Sequence, residues 1–473
     1  MGLFYLYYKN IETETLTLTF GAPVPSLHPI YVTLMLMLWG GFAGAGATAM
    51  VHSAPIIIKG QLIKAVTRYP LQMYRLFRTD GVTGKAVIIP FQIDEINEWG
   101  DYVLPEGGTV TAKTGTGIFD IQDELSFMGD DVGPATAPRD WGTLGKPAII
   151  FEVRLSYNGR NPTGDSQGAV YLGVYFQNPP QLSPRSYVSF DRPQAEVLTS
   201  RYRYGFDQKN WLVARRVDML RPGPKPDSPP EFVPLLASST FYMRADLKYF
   251  LTVEANHRSI DSLLEAYKTG PIRSIIRISF HYTFLKLNFE LGMYTEVSFF
   301  SNAVYLPAIL YNPLDGKKSL NSGSGFYYGM AMTDNPRDLK IESNMPTYKK
   351  SGILDFFSRK SADSLYWITA SAPDRMLYME ISPSPLMRQR GAVPMLYTEP
   401  VIGSAVVDRN ALQPTELGQG PVNMALYFDM TKFTEGEHAM AFRLFFENVN
   451  DEKRLQAFKT IGDWTISAAR INH

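Results

Sequence analysis

The clearest pattern in the chain is an alternation of apolar and polar positions over IIRISFHYTF, residues 275–284. Ile276, Ile278, Phe280, Tyr282 and Phe284 alternate with Arg277, Ser279, His281 and Thr283, which predicts a half-buried β-strand. From Leu285 the phase inverts, with Leu285, Leu287, Phe289 and Leu291 now the apolar set. Period-two patterns change phase where an extra residue enters, so a β-bulge or bend is expected near Phe284–Leu285.

The same period recurs elsewhere. RLFRTDGVTGKAVIIPFQID (75–94) has two extended runs around a turn-forming DGVTG and predicts a hairpin. KPAIIFEVRLSY (146–157) and GAVYLGVYFQN (168–178) read as further strands. TELGQGPVNMALYFDM (415–430) and EGEHAMAFRLFFEN (435–448) read as a closing hairpin. SRYRYGF (200–206) sets Arg201 and Arg203 on one face against Tyr202 and Tyr204 on the other, as an edge strand or an Arg/Tyr surface for sugar rings or carboxylates. RSIDSLLEAYKTG (258–270) is the best short-helix candidate, closed by Gly270. LNSGSGFYYGM (320–330) reads as a glycine-rich loop tipped by Phe326, Tyr327 and Tyr328, residue types enriched at protein interfaces.

Six prolines in MLRPGPKPDSPPEFVP (219–234) break the pattern. Proline cannot donate to a sheet ladder, so this run predicts a linker or a long surface loop. The expected fold is therefore all-β, with two sandwich-like domains preceded by one N-terminal apolar helix. Residues 1–54 form the leader, 55–220 a first sandwich, 221–236 the linker and 237–473 a second sandwich.

IYVTLMLMLWGGFAGAGATAMV (30–51) carries no charge and is long enough to span a bilayer as a helix. As a signal peptide it would be cut near Ala47-Thr48-Ala49; as an anchor, Gly40, Gly44 and Thr48 make a small-residue stripe for a neighbouring helix. Lys59, Lys64, Arg68, Arg75, Arg78 and Lys85 follow it, which the positive-inside rule would keep in the cytoplasm. That rule weakens for large translocated domains, so a periplasmic or extracellular location is expected, with a membrane and membrane-protein subunits as partners.

Composition narrows the chemistry. The 46 basic and 46 acidic residues cancel, which gives no field for nucleic acid. The absence of cysteine excludes disulfides, thiolate metal sites and cysteine nucleophiles. Six scattered histidines supply no local two-histidine zinc pattern, and neither a phosphate loop nor a G-x-S-x-G elbow is present. His281 on a polar strand face is the one candidate general base among them.

Negative charge is concentrated in one place. Between Asp94 and Asp131 the sequence has ten carboxylates and one base, Lys113. Asp120, Asp123, Glu124, Asp130 and Asp131 suit oxygen ligation of calcium, although the twelve-residue helix–loop–helix pattern is out of register. Turn-capping carboxylates and an acid–base pair are the other readings.

PFQIDE (90–95) and DELSFMGDDVG (123–133) resemble a loose group of exported bacterial β-sandwich proteins of unknown function that carry PFQIDE, an intervening hairpin and DELxFMxxDxG. The resemblance covers about a tenth of the chain. It implies export and β-architecture, some relatives being similar to the large sandwiches of carbohydrate-active enzymes, and it implies no catalytic residue. Two functions follow from these readings. The preferred one is a non-enzymatic accessory or scaffold subunit of a membrane complex, photosynthetic or respiratory. The other is a secreted polysaccharide lyase or glycoside hydrolase with carbohydrate in a sandwich cleft.

Overall fold

The computed structural model describes residues 54–108, 115–157, 167–221, 229–248, 251–256, 260–284, 287–312, 315–332, 340–349, 356–358, 365–372, 374–397, 422–447 and 464–471. Strand dominates these residues, and the two α-helices among them are short, α1 (Gly316–Ser319) and α2 (Pro385–Arg390). The chain is all-β. No helix among the described residues is long and apolar enough to cross a membrane, and the 30–51 segment with Gly40, Gly44 and Thr48 lies outside them.

A smaller sandwich is built from two sheets. One holds β1 (Pro55–Lys59), β6 (Glu124–Met128) and β4 (Gln92–Asp94) in that order. The other runs β28 (Trp464–Arg470), β7 (Ile149–Tyr157), β8 (Gln167–Val174), β2 (Tyr74–Thr79), β3 (Ala86–Ile89). Ile58, Ile93, Leu125 and Phe127 of the first sheet meet Tyr74, Leu76, Phe151, Val153, Val170 and Leu172 of the second in one core. The expected hairpin at 75–94 is present: β2 and β3 pair antiparallel. Asp80 closes its turn by accepting the N–H groups of Val82 and Thr83, and Gly84 supplies a φ of 68°.

A larger sandwich holds most of the rest. Its first sheet runs β9 (Val188–Asp191), β10 (Glu196–Thr199), β11 (Tyr202–Asp207), β12 (Asn210–Arg221), β13 (Glu231–Asp246), β19 (Gly325–Met332), β26 (Val422–Asp429), β25 (Met395–Tyr397), β21 (Thr347–Lys349). A further strand, β14 (Thr252–Asn256), pairs with the far end of β13. The second sheet runs β5 (Glu106–Gly107), β15 (Ile260–Thr269), β16 (Arg273–Phe284), β17 (Leu287–Phe300), β18 (Ala303–Asn312), β27 (Gly436–Glu447), β24 (Arg375–Pro383), β23 (Tyr366–Ala372), β20 (Lys340–Ser343), β22 (Phe356–Ser358). One parallel bridge, Asn210 to Ser262, joins the two sheets into a single hydrogen-bonded network. Between them lies the main core. Val197, Tyr202, Phe206, Val217, Leu426 and Phe428 come from the first sheet, and Ile276, Val297, Ile368, Leu377, Met379 and Phe442 from the second.

Several expectations are corrected. The proline run is a hairpin connection, not a link between two sandwiches: β12 and β13 flank it and pair with Arg221 opposite Glu231. A register shift at Val217/Asp218 lies beside Pro234, the proline within β13, which has no N–H to offer its partner. The division at 221–236 fails at the C-terminus too, because β28 leaves the larger sandwich to pair with β7 of the smaller one. Residues 260–269, expected as part of a helix, form β15, since pairing with β16 along its length outweighs local helix propensity. The phase inversion after Phe284 is a chain reversal: β16 and β17 pair with Phe284 opposite Leu287, while a register shift falls earlier, at Phe280/Tyr282. β26 and β27 do not form a hairpin but join different sheets. Nor is β11 an edge strand, since β10 and β12 flank it.

Candidate functional site

The PFQIDE and DELSFM stretches fold as adjacent antiparallel strands, β4 and β6, which set Asp94 directly opposite Glu124. Two carboxylates in one cross-strand pair repel unless a cation lies between them. Arg273, at the start of β16, supplies it. Its Nε donates to Asp94 Oδ2 at 2.7 Å and its Nη2 to Glu124 Oε2 at 2.7 Å, and the residue is 1% exposed. Lys268 Nζ reaches Asp94 Oδ1 at 2.8 Å, and the Tyr102 hydroxyl donates to Glu124. Gln92 completes the set: its Nε2 donates to Asp94, and its Oε1 accepts from the backbone N–H groups of Ile272 and Arg273. Burial alone would raise the Asp94 carboxyl, but Arg273 and Lys268 overcome it and hold it down at about 2. This buried array fastens the smaller sandwich to the larger one.

Just beyond it, Arg277 and Glu296 form a second buried ion pair at 2.5 Å across β16 and β17. Burial pushes Glu296 up to about 7 although Arg277 opposes it, and its Oε2 has no hydrogen-bond partner among the described residues.

The other acidic positions separate into different roles. Asp123 accepts the N–H groups of Ile96 (2.8 Å) and Asp120 (2.7 Å), while Asp120 accepts that of Gln122. These are turn caps, and burial raises Asp123 to about 6. Asp131 accepts the Tyr187 hydroxyl at 2.7 Å and pairs with Arg185 at 3.4 Å. Oδ1 of Asp130 is buried without a hydrogen-bond partner among the described residues. Among those residues no three His, Asp or Glu side chains are grouped to hold a metal ion, so Asp120, Asp123, Glu124, Asp130 and Asp131 do not converge on a calcium site.

The interface candidates lie elsewhere than expected. Phe326, Tyr327 and Tyr328 are in β19, between β13 and β26, not at a loop tip. Phe326 and Tyr328 pack on the main core, and Tyr327 is buried between Tyr242 and Tyr427. His281 lies in β16 opposite Asp261.

A different set of residues is brought together on the outer face of the second large sheet. Strand alternation sends Ile368, Leu377, Met379, Ile381, Phe442 and Val304 into the main core. Their sequence neighbours therefore face away from it. Across β23, β24, β27 and β18 one row reads Trp367, Glu380, Arg443, Tyr305, each opposite the next. Three strand spacings make this row about 14 Å long. Beside it Tyr378 lies opposite Phe445, and the rings form a continuous floor. Trp367 and Tyr378 are 6.3 Å apart, Tyr378 and Phe445 6.1 Å, Phe445 and Tyr305 6.1 Å, and Tyr305 and Phe300 5.0 Å. Met128, Ile272, Tyr187 and Ile57 pack on this floor and bury it: Tyr378, Phe445 and Phe300 have no exposed surface and Trp367 is 9% exposed. Glu380 and Arg443 are hydrogen-bonded; burial raises the Glu380 carboxyl while Arg443 opposes the rise.

None of the four row residues was singled out from the sequence. A signal for two of them is there: Glu380 is a lone charge between Met379 and Ile381, and Arg443 another between Phe442 and Leu444. A charge inside an apolar strand requires a partner, and neither residue has one of opposite sign within three positions.

No family model matches the chain, and no curated protein matches it. Among solved structures it is similar to an alpha-mannosidase from Enterococcus faecalis V583, with 8% identity and a TM-score of 0.37 over 89% of this chain and 44% of that one. It is also similar to a protein in glycosyl hydrolase family 38 from Enterococcus faecalis, with 8% identity and a TM-score of 0.38 over 90% of this chain and 46% of that one. The chain thus spans less than half the length of either protein. Likeness at this level assigns no activity.

Proposed function

We propose that the chain is an exported polysaccharide-active enzyme whose ligand binds at the partly exposed Arg443–Tyr305 end of the Trp367–Glu380–Arg443–Tyr305 row. The observation that carries this reading is the row itself: an indole, a carboxyl, a guanidinium and a phenol set side by side on the sheet face away from the main core, with Trp367 and Glu380 buried and Arg443 and Tyr305 partly exposed. Tyr305 provides a ring face for a sugar and Arg443 hydrogen-bond donors beside it, while Trp367, Tyr378, Phe445 and Glu380 are buried behind them and hold them in place. Glu380, bonded to Arg443 and raised by burial, is the carboxyl adjoining that end of the row. Export through residues 30–51, by cleavage or as an anchor, would bring such a site to extracytoplasmic polysaccharide.

Asp94 of PFQIDE and Glu124 of DEL are buried and neutralised by Arg273 and Lys268, and Arg273 is itself buried where Arg443 beside Glu380 is partly exposed. Incubating the full chain with a panel of polysaccharides and measuring reducing ends and unsaturated products tests the proposal. Cleavage of one polymer, lost in Glu380→Gln, supports it. Binding without cleavage, weakened by Tyr305→Ala, would leave a non-enzymatic carbohydrate-binding subunit.

A further inference from the structure

We infer that one end of the smaller sandwich rests on the surface of a lipid bilayer with anionic headgroups. The inference is independent of the carbohydrate reading and concerns a different face.

Three segments build this end. After β1 the chain turns through Gly60–Ile63, and Gly60 lies so close to residues 117–121 that a Cβ there would meet the Asp120 carbonyl and the Ile121 Cα. Residues 68–71 run along the same segment: the Arg68 N–H donates to Phe119 O, the Phe119 N–H to Tyr69 O and the Leu71 N–H to Gly117 O. Tyr69 in turn packs on Phe176, with ring centres 5.7 Å apart. Phe119 points into the core of the smaller sandwich, which leaves its neighbours outside. Ile118 is 40% exposed and Ile121 52%, beside Leu62 at 60% and Phe176 at 53%.

Single exposed apolar side chains need no explanation, but adjoining ones do. Val82, Leu198, Leu263 and Leu386 are also exposed, and each stands on a separate element. Two observations select a bilayer as the occupant. The first is charge: Lys64 and Arg68 are exposed beside the apolar group. The acids nearby are engaged with backbone, Asp120 accepting the N–H groups of Gln122 and Asp123, and Glu95 that of Gly117. Leucine, isoleucine and aromatic side chains bordered by Lys and Arg suit the headgroup boundary, where apolar tips are buried and cations meet phosphates. The second is where the uncharged run 30–51 ends, three residues before Ala54, the first described residue. From there β1 covers only about 16 Å to the Gly60 turn, so a retained run would hold this end close to the bilayer.

The chain has no cysteine, so a single reporter can be placed in it. The full chain with Ile121→Cys, labelled with a nitrobenzoxadiazole dye, is mixed with phosphatidylcholine vesicles with or without phosphatidylglycerol, and quenching by spin-labelled lipid is measured. The control is Val82→Cys, 96% exposed at the turn beyond β2, whose opposite end packs on Tyr69 and Phe119 through Tyr74. Expected is quenching at position 121 at least threefold stronger than at 82, reduced by high salt, by omission of phosphatidylglycerol and by Lys64→Gln/Arg68→Gln. Equal quenching at the two positions, or none at either, would overturn the inference. Preferential quenching at 121 that ignores salt and headgroup charge would overturn its anionic part. A dye at 121 shielded without lipid would also overturn it: shielding that grows with protein concentration would assign the face to a second copy of the chain, and shielding independent of concentration to residues 1–53.

Discussion

Arg273 Nε lies 2.7 Å from Asp94 Oδ2, and each residue is 1% exposed. The two belong to different sandwiches, so this ion pair is also a joint. Charges buried this deeply are stable only as a complete set, which here includes Glu124, Lys268, Tyr102 and Gln92.

Arg273→Met should leave Asp94 and Glu124 facing each other in a dry interface. The expected loss is about 3–5 kcal/mol, the range for breaking a buried pair from one side. The triple variant Arg273→Met/Asp94→Asn/Glu124→Gln, which leaves only the partly exposed Lys268 charged, should recover a large part of it. Chemical denaturation measures both; a loss below about 1 kcal/mol for Arg273→Met would show that the joint contributes little.

Two carboxylates of this region set opposite pH dependences. Asp94 is depressed from 3.8 to about 2, so it stabilises the fold above pH 4, and this stability is lost as pH falls from about 4 towards 2. Its size is roughly 2 kcal/mol. Glu296 is raised from 4.5 to about 7, so the folded chain holds that proton more tightly, and stability declines as pH rises from about 4.5 to about 7. Denaturation midpoints measured across pH 2–8 should show a flatter acid limb in Asp94→Asn and a smaller decline between pH 5 and 7 in Glu296→Gln. Curves parallel to the wild type in both variants would contradict the assignment.

Gly270 is required by closeness, not by backbone conformation. A Cβ there would lie 2.1 Å from Gln92 Oε1, the atom that accepts from Ile272 and Arg273. Gly270→Ala should push Gln92 aside and cost about 1–3 kcal/mol, as overpacking of a closed site does. A melting temperature equal to wild type would mean that Gln92 has another position with its hydrogen bonds intact.

Truncation after residue 463 would remove β28 and leave β7 as an open edge of its sheet. The truncated chain should melt earlier and aggregate on mild heating, because an unpaired edge strand is a template for association. Monomeric behaviour and unchanged melting by light scattering and calorimetry would show that β28 is dispensable.

Local chemistry determined a good deal of this protein. Asp80, Gly84 and the extended runs on either side produce the β2–β3 hairpin wherever the rest of the chain goes, because the turn satisfies its own amides. The alternation in β7 and β16 likewise marks strands with two unlike faces. The sequence also showed that Asp94–Asp131 is unusually acidic, but its purpose depended on a cation from far along the chain. Arg273 neutralises Asp94 and Glu124 only after β16 docks on the smaller sandwich. Residues 260–269 show the same limit: their helical character is outweighed by a neighbouring strand that no local window includes. The Trp367–Glu380–Arg443–Tyr305 row is wholly a product of tertiary structure, since its members come from four strands and meet only through cross-strand register. A one-residue slip in any of those strands would turn its side chain into the core and dismantle the row, which is why no reading along the chain could have assembled it.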